Sequence, residues 1–235
     1  MPPLLQDSSP RMEKAFRKGA GSFGLTDGRV FTAAGAFDKT AILVVLAIAT
    51  GLVGYATNNG ALILVGLVVG LVAYFVGIFR PNLARIAAPI YALGEGLALG
   101  SITRFYATGN TEIVPAAVIF TGGIFLGALV VFRSGLVKVT NRFVAMTMMA
   151  AVGFILVALA QAFNIVSLNS AGDNLVIGLI GVVIGTAFLF IDFNFIQRAE
   201  EAQVPAQMEW FGAMILMASL VWVYINVLRI LGRRR

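Results

Sequence analysis

From residue 40 onward the chain alternates long apolar runs with short polar interruptions. Seven runs stand out: Thr40 to Thr57, Ala61 to Phe79, Ile86 to Ile102, Ile113 to Phe132, Phe143 to Val166, Leu175 to Ile196 and Trp210 to Leu231. A hydrocarbon layer about 30 Å thick needs roughly 20 apolar residues per helical crossing, and each run is near that length. The runs are continuous rather than alternating, which selects helices over the strands of a membrane barrel. Short connections make sequential helices antiparallel neighbours. The pattern therefore predicts an all-α integral membrane protein of seven transmembrane helices over residues 40–232. Residues 1–39 read as a cytosolic N-terminal tail without a secretory signal, and 233–235 as a basic C-terminal tail. Within the first tail, Arg11, Lys14, Arg17 and Lys18 fit a solvated segment better than a helix on anionic lipid.

Composition sharpens this picture. Hydrophobic residues make up 59% of the chain and charged ones only 12%, outside the range of an ordinary soluble domain. The sequence holds no cysteine and no histidine, which removes disulfides, thiol chemistry and imidazole ligation of metal or haem. The net charge of +6 comes from tails and loops that flank apolar runs, a signature of membrane topology rather than of nucleic-acid binding.

The first tail and the second, fourth and sixth loops hold twelve lysines and arginines, against one, Arg104, in the first, third and fifth loops. The positive-inside rule then places the N-terminus in the cytosol. Seven full crossings put Arg229 and the arginines of 233–235 outside, against the rule. Either the last helix crosses despite its charge or it is re-entrant. Crossing is favoured, because Trp210 to Leu231 is long enough and is bounded by interface residues.

Two acidic residues sit inside the runs: Glu95 in the third and Asp192 toward the cytosolic end of the sixth. An ionised carboxylate in hydrocarbon costs several kcal/mol, so each must face the protein interior, a partner or water, or hold a proton. Gly178, Gly181, Gly185, Phe188 and Asp192 recur every three or four residues, which turns Asp192 toward a small-residue helix contact. The alternative for Asp192 is snorkelling to the headgroups and pairing with Arg198. In the last run Gly212, Ser219 and Asn226 repeat every seven residues and form one small, polar face, from which Ser219 is placed to donate to a buried carboxylate. Glu95 lies ~10 residues, or ~15 Å, above Arg85, too deep to snorkel, with Tyr91 and Ser101 as local polar partners or packing residues. Gly66/Gly70, Gly96/Gly100, Gly123/Gly127 and Gly181/Gly185 carry the small-xxx-small spacing of close helix packing.

Several of these segments resemble the Bax inhibitor-1/YccA family, in particular its actinobacterial-type branch: APIYALGEGLALGSI over 88–102, RSGLVKVTNR over 133–142, IDFNFI over 191–196 and YINVLR over 224–229. The resemblance implies six helices wrapped around a central C-terminal helix. It further implies a pH-sensitive calcium leak governed by paired aspartates of the sixth and seventh helices. Two carboxylates ~4 Å apart resist ionising together, so such a pair can respond to pH. Asp192 matches the first aspartate. Counting back from Asn226, the second falls at Ser219, so the pair is not preserved. An arginine near the end of the second helix acts as a latch in some relatives, and Arg80 is the nearest candidate.

The leading functional expectation is a calcium leak channel gated by protonation of an intramembrane carboxylate. Its ion pathway would use Asp192, Glu95, Ser219 and Asn226, with protons and calcium as its ligands. Calcium prefers six to eight oxygen ligands, so Asp192 and Glu95 suggest weak, transient binding of a permeant ion rather than a stored cofactor. The alternative is a non-conducting regulator that binds other membrane proteins, such as a membrane protease. An enzyme is not expected: the sequence holds no HExxH, no GxSxG and no intramembrane Ser/Lys or Ser/His pair.

Overall fold

The computed structural model of the chain describes residues 29–57, 59–107, 111–166 and 171–232. Among the described residues seven α-helices follow one another: α1 Ala33–Thr57, α2 Ala61–Phe79, α3 Ala84–Tyr106, α4 Ile113–Arg133, α5 Asn141–Ala162, α6 Ala171–Glu201 and α7 Met208–Leu231. A 3-10 turn, Pro81–Leu83, joins α2 to α3. All seven helices are long and apolar enough to cross a membrane. Among the described residues there is no strand, only an isolated antiparallel bridge between Val30 and Pro205. The seven apolar runs thus become seven helices. The basic cluster from Arg11 to Lys18 and the basic tail 233–235 lie outside the described residues.

Boundaries differ from the hydropathy pattern where local chemistry overrides it. Helix α1 starts at Ala33, seven residues ahead of the apolar run, because Thr32 caps it: its Oγ1 accepts from Gly35 N at 3.0 Å. Helix α5 starts at Asn141, capped by Thr140, whose side chain accepts from Phe143 N at 3.2 Å. It ends at Ala162 rather than Val166, since Asn164 adopts φ 56°, a left-handed conformation that stops a helix and that asparagine tolerates. Helix α6 runs past Ile196 to Glu201, and Gln197 Nε2 donates to Glu201 Oε1 one turn on, at 2.9 Å. Its 31 residues measure about 46 Å, well beyond a hydrocarbon layer of about 30 Å.

The described chain forms two compact units, one of residues up to Ile102 with Asn194–Met217, the other of Thr103–Phe193 with residues from Ala218 onward. In the first, glycines bring α3 against both α1 and α2. A Cβ on Gly66 would stand 2.5 Å from Gly94 O, one on Gly94 2.7 Å from Gly70 N, and one on Gly100 would overlap the carbonyl of Gly51. Ser101 Oγ reinforces the α1 contact by donating to Gly54 O at 3.3 Å. In the second unit, Gly178, Gly181 and Gly185 of α6 receive Ile230, Asn226 and Val223 of α7. The spacing of Gly123 and Gly127 leads to no such contact, because a Cβ on either meets nothing within 4 Å. Burial follows the glycine-mediated contacts: within an apolar 18-residue stretch of each span, 61% of the residues are buried in the span containing α3 and 56% in α7, against 11–28% in the other five.

Candidate functional site

In the second unit the glycine face of α6 continues to Asp192, which is only 6% exposed. Ser219, equally buried on α7, donates its hydroxyl to Asp192 Oδ2. The carboxylate is therefore an interior group, and snorkelling does not describe it. Next to it Phe193 is edged by Phe125 and Phe132, with ring centroids 5.6 and 5.7 Å away. Burial takes the Asp192 carboxylate out of water, so its hydrogen bond is worth more than it would be there.

Toward the far end of α7 the polar face continues. Trp222 Nε1 donates to Gly181 O at 2.9 Å, and its ring meets Phe154 and Phe188. Asn226 is 3% exposed; its Nδ2 donates to Trp222 O at 2.9 Å, while its Oδ1 lies against Gly181 with no donor among the described residues. The glycine makes room for the amide: a methyl group at 181 would overlap it. Thr103 and Tyr224 share a 3.0 Å hydrogen bond on the neighbouring face.

Glu95 belongs to the first unit and is half-buried. Its carboxylate lies over Gly70, where a Cβ would come 3.0 Å from Oε1. Tyr91, one turn earlier, is 4% exposed and packs on Tyr74 with centroids 5.4 Å apart. Ser101 does not serve Glu95, being committed to the carbonyls of Gly54 and Leu97. Arg80 forms the C-cap of α2, with its backbone N–H on Val76 O, and is exposed. Among the described residues no three acidic side chains gather as a metal site.

One buried acid escaped the sequence reading. Glu209, just ahead of the seventh apolar run, lies in the first turn of α7 and is 6% exposed. It accepts from Thr32 N and Thr32 Oγ1, each at 3.0 Å, and pairs with Lys39 at 2.5 Å. Lys39 also stands over the Trp210 ring at 5.6 Å. Glu200 accepts from Ala33 N at 2.8 Å, and Phe31 N donates to Val204 O at 2.7 Å. The start of α1 is thus clasped to the α6–α7 connection. A signal existed in the sequence: Lys39 and Glu209 are opposite charges bordering two apolar runs that begin on the same side.

Seven apolar helices carrying a buried carboxylate–hydroxyl pair define a multi-pass integral membrane protein. The profile of the family described as Bax inhibitor 1 like matches residues 3–235, and the chain belongs to that family. No curated protein matches the chain.

Proposed function

We propose that this protein is a pH-sensitive cation leak channel, with calcium as the physiological ion, in which protonation of Asp192 loosens the contact between α6 and α7. The observation that carries this reading is the Ser219–Asp192 hydrogen bond, buried in a helix contact whose other members are glycines, apolar side chains, Trp222 and Asn226. A hydroxyl donating to an ionised carboxylate makes a charge-assisted bond, roughly twice as strong as a neutral one, so adding a proton weakens the tie. Conduction therefore rises as the pH falls. Ser219 supplies the donor that replaces the second aspartate expected from the resemblance, which gives a single-acid switch. Glu95 contributes the second intramembrane negative charge and attracts the divalent ion. Arg80, exposed at the end of α2, has no part in this scheme.

Calcium entry into dye-loaded liposomes containing the purified protein, followed from about pH 8 to about pH 6, tests it. Flux that increases toward acid supports the channel. Absence of flux at every pH overturns it and favours the non-conducting regulator that binds other membrane proteins.

A further inference from the structure

Along α2 and α3, within the first unit, runs an apolar groove of about 400 Å³ lined by Val69, Val72, Ala73, Val76, Leu83 and Ile90. From Val68 to Val76 it follows about 12 Å of α2, close to the ~15 Å depth of one leaflet. It opens outward, for Val72 and Ile86 on its walls are 59% and 61% exposed. At one end the chain turns through Pro81–Leu83, and this turn is flanked by Arg80 and Arg85. Both arginines are exposed, and neither side chain has an ion pair or hydrogen bond among the described residues.

A hydrocarbon trough one leaflet deep that ends at two uncommitted guanidinium groups matches a ligand with an apolar tail and an anionic head. Guanidinium is the side chain best suited to phosphate, which it grips through two parallel hydrogen bonds. We propose that this groove is a binding site for an anionic phospholipid, with one acyl chain lying along Val72 and Val76 and the phosphate held by Arg80 and Arg85. The turn lies on the lysine- and arginine-rich side of the topology, the side whose leaflet carries anionic lipid. A second copy docked here by twofold symmetry would gather both arginine pairs at one interface, which like charge opposes. The inference is independent of ion conduction.

Native mass spectrometry of the full-length protein in detergent provides the test, with palmitoyl-oleoyl phosphatidylglycerol and the phosphatidylcholine of identical chains as probes. Phosphatidylglycerol is expected to bind in preference. Arg80→Gln and Arg85→Gln should each weaken it about fivefold and weaken phosphatidylcholine less, because that lipid carries the same phosphate with its charge offset by choline. Val72→Trp, which fills the trough from an exposed position, should reduce both lipids. Equal binding of the two lipids by the unaltered protein, or undiminished phosphatidylglycerol binding by the double arginine variant, overturns the proposal. A dimer that Val72→Trp dissociates would assign the groove to a second copy and overturn it equally.

Discussion

Asp192 was legible as an inward-facing residue because its glycine neighbours recur at helical spacing, and Ser219 because it lies halfway along the last apolar run. Their hydrogen bond turns the proposed switch into a test at single atoms. Asp192→Asn preserves size and can still accept from Ser219, but an amide does not titrate. We expect calcium flux in this variant to be nearly flat between about pH 6 and pH 8, with little loss of thermal stability in detergent. Glu95→Gln should lower divalent flux several-fold at every pH while retaining the pH response, since it removes an attracting charge and leaves the α6–α7 tie intact. Unaltered flux and pH response in both variants would refute the carboxylate mechanism. Glu209 was harder to read, because a charge at the margin of an apolar run looks like an ordinary loop residue until its partner is known. That partner is 170 positions away.

At the scale of the helix, hydropathy located all seven elements but not their ends, which depend on caps such as Thr32 and Thr140 and on the left-handed Asn164. Small-residue spacing was a weaker guide. Gly96/Gly100 and Gly123/Gly127 share the same motif, yet only the first pair meets another helix, because spacing marks a face without saying what covers it. Opposite outcomes follow. Gly100→Ala drives a methyl group into the Gly51 carbonyl and should destabilise the protein by roughly 1–3 kcal/mol in detergent melts. Gly127→Ala meets open space and should be neutral or stabilising by up to about 1 kcal/mol through helix propensity. The last helix can also be traced from end to end. It starts at Glu209 beside Thr32 and Lys39, and finishes with Gly232 against the Tyr106 ring at the end of α3. Its 24 residues measure about 36 Å, enough for a full crossing of a hydrocarbon layer about 30 Å thick. A reporter fused after Arg235 should accordingly read on the side opposite the N-terminal tail, and matching sides would require a re-entrant helix.

For the whole molecule, the charge count predicts that the N-terminal tail, the α2–α3 turn and the α6–α7 connection share one side. The clasp of Ala33 to Glu200 and of Phe31 to Val204 agrees for two of these three segments. Which side is cytosolic is a question for labelling, and the absence of cysteine makes it direct. A single cysteine at Ser22 should resist a membrane-impermeant maleimide in intact cells, while one at Glu112 should react. The reverse pattern would invert the orientation. The division into two units was not visible in the sequence, because two of its borders, at 193 and 217, fall inside apolar runs where composition does not change, and the third, at 102, coincides with an ordinary run end.

The clasp between Lys39 and Glu209 also sets a timetable for biosynthesis. Translation at about 5–20 residues per second leaves Lys39 waiting roughly ten to thirty seconds for its carboxylate to emerge. Throughout that interval an ammonium group sits at the edge of an inserted α1 with its final counter-ion unmade. A nascent chain is therefore recognisable as unfinished until its last helix arrives. Glu209→Gln should prolong this state: in pulse-chase experiments the variant should be degraded faster than the parent, and Lys39→Met in the same chain should restore much of its lifetime by removing the stranded charge. Equal lifetimes for the parent and Glu209→Gln chains would show that the clasp has no part in assembly.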